Sequence, residues 1–410
     1  MRARLGPERP ARCGHIATLA GGLALAVTAL IPAGCGGKFE LPTERLVGRT
    51  VPNAGTYQVL TTWQGLTDVK DLLLIEGAGS QLYLLIQHDG GAGTAPRGSV
   101  AEYKRTSPTP ETVRSGTFQG LLNPTALCAG HGASSGNQIN RVFVLDQGDT
   151  CLARENPASG TCDTTGRFNL RVTHPELFWR VVEFDRTGLT TYSTFTDTTV
   201  AFVWGVGADD RGDVYVSGRA IIYTPNPFDP RLTERVYQDR IFRYQRGPRP
   251  GGRPDPNIIG GDWHRDSSYI VFEGSGVGTI KDPRGLYWTH RGPALFVADL
   301  GKNWVQKMRD GNVDLPDDEY YRDEDLQGAP SLSGATGVCV DDDGFFYVAD
   351  DGNQRVLRYD DNARAFVQRV DVEFNAPGLP LQGPVAVAAN VDEVYVADRT
   401  TGVVARYRRR

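Results

Sequence analysis

An apolar strand of five residues, with an aromatic near its start, recurs six times along this chain. The copies begin at Leu82, Val142, Val214, Leu295, Phe346 and Val394, and the last reads Val394-Tyr-Val-Ala-Asp398. Continuous apolarity over so short a run suits a strand buried on both faces. A second motif follows each copy: aliphatic, any residue, charged, then aromatic or Met. Its copies begin at Val100, Val181, Ile241, Val305, Val356 and Val404. Side-chain alternation puts the second and fourth positions on one apolar face. The charged position is expected to lay its stem over a neighbour and keep its head in water.

A third motif precedes the first, beginning at Pro124, Val203, Pro283, Ala335 and Pro384, with a small residue at its third place. Asp71 to Glu76 matches it loosely. Small side chains are what strands crowded around a central axis require. Further strand-like stretches lie between the units: Thr117-Phe-Gln, Thr191 to Phe195, Tyr269 to Phe272, Glu319 to Tyr321 and Phe366 to Val372. A tandem repeat of four strands, six times over, predicts an all-β fold: a six-bladed β-propeller with four-stranded antiparallel blades. The abundant turn formers, Gly 49 and Pro 25, agree with it. The chain ends on a third strand, Val403 to Arg409, and begins with a spare one, Tyr57 to Trp63. The N-terminal strand is therefore expected to close the last blade and leave no open edge there.

These units resemble NHL repeats, whose pattern runs Pro-x-Gly-Val-x-Val-Asp, then Gly-x-Val-Tyr-Val-Ala-Asp, then Asn-x-Arg-Val. Ala335 to Tyr359 is the best match, with Asn353-Gln-Arg-Val356. The units from Pro283 and Pro384 are good matches, and the first three are degenerate. The resemblance covers roughly 55–410 and implies the propeller. No Trp-Asp dipeptide recurs, which argues against WD40 repeats.

The step from the first motif to the second is constant in the last three units: Leu295 to Val305, Phe346 to Val356, Val394 to Val404. It is longer in the first three: Leu82 to Val100, Val142 to Val181, Val214 to Ile241. All three insertions fall in the same loop of the blade. In an antiparallel meander that loop shares an end with the crossovers between blades, so the insertions crowd one face. Long loops on a rigid scaffold are where binding residues concentrate.

The chain opens with Arg2, Arg4, Arg9 and Arg12, followed by an apolar run from Ile16 to Ile31. The run has the size of a signal h-region and is short for a membrane span. It ends in Ile31-Pro-Ala-Gly-Cys35, which resembles the lipobox of bacterial lipoproteins. That resemblance implies a signal peptide over 1–34, lipidation of Cys35, a tether over 35–55 and a propeller over 56–410. The implied location is the cell envelope, with outer-membrane sorting because Gly36 stands where an Asp would favour retention. In that oxidising compartment Cys151 and Cys162 are expected to form a disulfide across the blade-two insertion. Cys128 and Cys339 are expected to be buried thiols.

The net charge of -5 makes the chain a poor nucleic-acid binder. Asp341-Asp-Asp-Gly344 and Asp350-Asp-Gly-Asn353 lack EF-hand spacing and read as turns, so no metal site or cofactor is assigned. Calcium would enter only with the alternative described next. Asp146, Asp299, Asp350 and Asp398 end four of the buried strands and are expected to bond nearby backbone N–H groups. Funnel-mouth candidates are Asp68, Asn123, Lys281, Asp282, Arg284 and Gln382. Candidates on the insertion face are Phe178, Trp179, Tyr223 and Phe228, because aromatic rings give large contact area at low entropy cost. No catalytic constellation is recognisable. The reading is a monomeric, lipid-anchored binding or scaffolding module for a protein, peptide or glycan. The alternative is a metal-dependent hydrolase or lyase with Ca²⁺ in the funnel.

Overall fold

Each repeat unit becomes one antiparallel sheet. The computed structural model describes residues 57–409, apart from segments of which the longest are 90–97, 132–138, 148–154, 163–178, 310–318, 322–330 and 371–380. The strands Asp71–Glu76, Leu82–Asp89, Gly98–Lys104 and Pro110–Ser115 form blade one. Blade two comprises Pro124–His131, Ile139–Gln147, Trp179–Asp185 and Thr191–Asp197, with Ile258–Ile259 added outside. Blade three comprises Val200–Ala208, Val214–Pro225 and Thr233–Arg246, flanked by Trp263–Arg265 and Val271–Phe272. Blade four is Pro283–Thr289, Ala294–Asp299, Trp304–Arg309 and Glu319–Tyr321. Blade five is Ala335–Val340, Phe345–Asp350, Arg355–Asp360 and Ala365–Arg369. Blade six is Pro384–Ala389, Glu393–Asp398, Val403–Arg409 and, at its outer edge, Tyr57–Trp63.

The N-terminal strand thus closes the last blade, running antiparallel to Val403–Arg409 from Tyr57↔Arg409 to Trp63↔Val404. Both its ends are anchored. Trp63 is buried and its indole N–H donates to the Ser107 carbonyl at 3.0 Å; the Tyr57 hydroxyl lies 3.1 Å from that of Tyr347. The loosely matching Asp71–Glu76 is a full inner strand. The outer strands differ in place from their sequence expectation: blade one uses Pro110–Ser115, and blade three uses Trp263–Arg265 as well as Val271–Phe272.

Each inner strand lies beside the inner strands of its two neighbours, so the six form a closed ring. The small third residue of the motif makes this possible. A Cβ on Gly285 would stand 2.7 Å from the Thr336 carbonyl oxygen, and one on Gly337 would stand 2.8 Å from that of Val385. Real carbon–oxygen contacts do not come so close, so only hydrogen fits. Side chains bond across the same seams. The Tyr287 hydroxyl donates to the Val340 carbonyl at 3.0 Å, and Asp71 Oδ2 accepts the Leu127 N–H at 2.8 Å. Between blades the apolar faces of second and third strands pack into contiguous clusters; Phe296, Phe346, Val348, Leu357 and Tyr359 belong to one of them.

In three of the six units the charged position of the third strand does not keep its head wet. Glu183, Arg358 and Arg406 are buried. The next blade covers this strand, so each charge is compensated locally. Arg406 Nε donates to Glu393 at 3.0 Å, Glu183 lies 3.6 Å from Arg141, and the Arg358 guanidinium sits 3.7 Å from the Phe345 ring centroid. Cys128 and Cys339 are buried free thiols, as expected.

Candidate functional site

The strand-end aspartates set the geometry of one face. Asp146 accepts the Asn123 N–H at 2.6 Å, Asp299 that of Lys281 at 3.1 Å, Asp350 that of Ser333 at 2.7 Å and Asp398 that of Gln382 at 2.6 Å. Each bond ties the end of a second strand to the crossover leading into the inner strand of the same blade. The loops after second strands and the crossovers therefore share one face. In blade three the equivalent residue is Gly218, and the chain continues outward instead of turning.

That continuation is an arm. The blade-three insertion is not an irregular loop; it prolongs two strands of the sheet, with pairing unbroken from Arg219↔Asp239 to Pro225↔Thr233. The residues explain this: Ile221-Ile-Tyr-Thr224 faces Glu234-Arg-Val-Tyr237, both rich in β-branched and aromatic side chains. A short turn caps the arm. Asn226 Oδ1 accepts the N–H groups of Phe228 at 2.8 Å and Asp229 at 3.2 Å, and Asp229 Oδ1 accepts that of Arg231 at 3.0 Å. Side chains thus replace water on the turn's main chain and hold Phe228 outward, 96% exposed.

A run of aromatic rings and guanidinium groups connects this arm to the funnel mouth. Arg235 lies 5.9 Å from the Tyr223 ring and hydrogen-bonds the Tyr237 hydroxyl at 3.5 Å. That hydroxyl is the main cause of the raised Arg235 pKa. Tyr237 meets Phe202 edge-on at 5.1 Å. Arg219 lies 5.6 Å from Phe202 and 5.3 Å from Trp204, and Arg284 lies 4.7 Å from Trp204. Such contacts contribute about 0.5–1 kcal/mol each when exposed and more when desolvated. The base of the arm is a bulge: pairing jumps from Ala201↔Arg219 to Gly205↔Ser217, and Phe202 is left with φ 49°. A bulky residue with positive φ is strained, and such strain clusters at binding sites.

The funnel-mouth candidates separate into two groups. Asn123, Lys281 and Gln382 enter the aspartate clamps through their backbone N–H groups. Asp282 and Arg284 bond each other at 2.9 Å, and the Asp282 N–H donates to Asp239 at 2.7 Å, the same carboxylate that Arg219 holds at 2.8 Å. They therefore join the base of the arm. Asp282 Oδ1 and Arg284 Nε are buried without a hydrogen-bond partner among the described residues. Asp68 stands apart, with φ 48° and an ion pair to Lys70. Among the described residues no three His, Cys, Asp or Glu side chains gather as a metal would require. The acidic clusters make turns: Asp341 Oδ1 accepts the Asp343 and Phe345 N–H groups at 3.0 and 2.9 Å.

Of the insertion-face aromatics, Tyr223 and Phe228 are exposed on the arm. Trp179 is not: it is 4% exposed, in the blade-two core, with its indole N–H donating to the Val200 carbonyl at 2.9 Å. It belongs to the third strand, where the next blade covers it. Phe178, Cys35, Cys151 and the Cys162 side chain lie outside the described residues. Phe202, Trp204, Arg219, Arg235 and Tyr237 escaped the sequence reading. For Arg219, Arg235 and Tyr237 the signal was the mixture of aromatic and arginine side chains between 219 and 237, hidden because the segment read as loop; Phe202 and Trp204 lie on the inner strand and gave none.

Burial raises the pKa of several carboxylates, Asp209, Asp341 and Asp351 among them, and two are raised furthest. Burial drives Asp71 up to about 7, against two backbone N–H bonds that lower it. Burial also drives Asp299 to about 7.

Residues 332–359 match the NHL repeat. No curated protein sequence matches the chain. Among solved structures, a structural genomics protein of unknown function from Bacteroides thetaiotaomicron aligns at 12% identity and TM-score 0.47, over 84% of this chain and 70% of that one. The Myceliophteria thermophila Cps50 (Swd1) β-propeller domain aligns at 8% identity and TM-score 0.46, over 85% and 98%. A chain of a nidogen/laminin complex aligns at 12% identity and TM-score 0.42, over 73% and 79%.

Proposed function

We propose that this chain is a binding or scaffolding protein of the bacterial envelope, held by a lipid on Cys35, that engages a protein partner through the insertion face. The observation that carries the reading is the blade-three arm, a preformed two-stranded ribbon with Tyr223 and Phe228 63% and 96% exposed. Pre-ordered side chains lose little entropy on docking, and exposed aromatics on a rigid support serve well as anchors. The disulfide between Cys151 and Cys162 would restrain the neighbouring insertion of blade two on the same face.

Cross-linking in intact cells, with mass spectrometry of the captured proteins, tests this. The doubly substituted Tyr223→Ser/Phe228→Ser chain is expected to lose specific partners that the unaltered chain captures, with melting temperature unchanged. An identical set of partners from both chains would contradict the reading. Palmitate labelling lost in Cys35→Ser would support the lipid anchor, and labelling retained would refute it.

A further inference from the structure

The arm has two edges of different character. The returning strand carries Glu234, Arg235 and Asp239. The outgoing strand beyond Arg219 reads Ala220-Ile-Ile-Tyr-Thr-Pro225 and has no charge at all. Natural sheet edges are normally guarded by lysine, proline, a bulge or a covering segment. Here the bulge at Phe202 lies at the base, and the only proline is the last residue, Pro225. Five of the seven exposed large apolar residues among the described ones lie on this arm or at its base: Phe202, Tyr223, Phe228, Leu232 and Val236.

The hydrogen-bond phase of this edge is fixed. The Ile221 N–H donates to the Thr199 carbonyl at 2.9 Å, on the side away from the returning strand. Main-chain polar groups alternate in direction along a strand, so those of Tyr223 also point away from the returning strand. Beyond Ile221 no described residue pairs with that edge. Tyr223 therefore offers one donor and one acceptor side by side, in the middle of an uncharged, β-prone segment.

We propose that the chain forms a two-fold dimer by antiparallel pairing of this edge with the same edge of a second copy, Tyr223 opposite Tyr223. This arrangement makes the two Tyr223 residues exchange both their N–H···O=C bonds. It also places Ile222 of each copy opposite Thr224 of the other. A two-fold pairing brings like against like, so a single charge on the edge would repel itself; the absence of charge from Ala220 to Pro225 is what permits a copy to dock. The acidic bodies oppose the approach, so association strengthens as salt screens them. The contact replaces the monomer expected from sequence. It goes beyond the partner reading above: a dimer that captures no other protein would refute that reading and leave this one standing.

The test uses the full chain with Cys13→Ser and Cys35→Ser, which removes the thiols ahead of the propeller. Directly opposed residues of a bonded pair have Cα atoms about 5.5 Å apart, within reach of a disulfide. Tyr223→Cys is expected to give a disulfide-linked dimer in mild oxidant. Thr224→Cys and Phe228→Cys, whose positions face other residues in this register, are expected to give at least about tenfold less. Sedimentation of the unaltered chain is expected to show a monomer–dimer equilibrium that shifts toward dimer from low to high salt. Tyr223→Lys/Thr224→Lys, at an exposed and a half-buried position, is expected to abolish the dimer without lowering the melting temperature by more than a few degrees. A chain that stays monomeric up to high micromolar concentration, equal cross-linking of the three cysteine variants, or a dimer that survives the lysine substitutions would each overturn the proposal.

Discussion

At the residue scale, the strand-end aspartates are the most consequential groups in the molecule. Asp350 is fully buried and accepts bonds from the Ser333 N–H, the Asn353 amide at 2.8 Å and Arg355 Nε at 2.8 Å. Removing it deprives the Ser333 N–H and the Asn353 amide of their acceptor and leaves the half-buried Arg355 guanidinium with its bond to the Ser331 carbonyl alone. Asp350→Ala is expected to cost about 1.5–3 kcal/mol, read from urea unfolding. A loss below 1 kcal/mol, the range of an exposed ion pair, would contradict the clamp. Asp71 and Asp299 behave in the opposite sense. Their pKa values rise from 3.8 to about 7 on folding, so the native chain retains protons that the unfolded chain releases. Their contribution to stability is complete below pH 3.8 and is lost as pH rises through about 7. Asp71→Asn is expected to flatten the fall in melting temperature between about pH 4 and 8. An unchanged slope would mean that Asp71 is ionised in the folded chain. The backbone-bonding role of these aspartates was legible because four units end alike. The partners of Glu183, Arg358 and Arg406 were not: Arg141, Phe345 and Glu393 share one repeat position, just before the second-strand motif, but differ in residue type, so no charge pattern marked them.

At the element scale, the small residues of the inner strands and the closing strand carry the fold. Gly337→Ala forces a methyl group onto the Val385 carbonyl and the Ala386 Cα, 2.8 and 2.9 Å away. It is expected to destabilise by about 1–3 kcal/mol, seen as a lower urea midpoint at constant slope. Trp63→Ala empties a buried site between blades six and one and frees the Ser107 carbonyl. The expected loss is about 3–5 kcal/mol. A negligible change would show that Tyr57–Trp63 is not a closing strand. Both elements were readable: period and small-residue position gave the inner ring, and the missing outer strand of the last unit gave the closure. The arm was not readable as an arm. A spacing argument reports that residues have been added, not whether they form a loop or a ribbon. Only the pairing Tyr223↔Arg235 and Ile221↔Tyr237 reveals that the added chain keeps the sheet's register. For the same reason Trp179 passed for a loop aromatic although it opens a buried strand.

At the scale of the whole molecule, the structure divides its labour. Blades four to six keep short connections between second and third strands; in blade five a three-residue 3₁₀ turn at Asp351–Asn353 suffices. Blade three carries the described elaboration, the arm, on the face of those connections. The arm is expected to be dispensable for folding and indispensable for binding. The direct measurement replaces residues 221–237 by Asn-Gly, which joins Ala220 to Gln238 through a tight hairpin turn and keeps the Arg219–Asp239 pair. The shortened chain is compared with the natural one for melting temperature and for partners captured in intact cells. The shortened chain is expected to melt within a few degrees of the natural one and to lose the specific partners. An unfolded shortened chain, or one that folds and captures the same partners, would contradict this expectation.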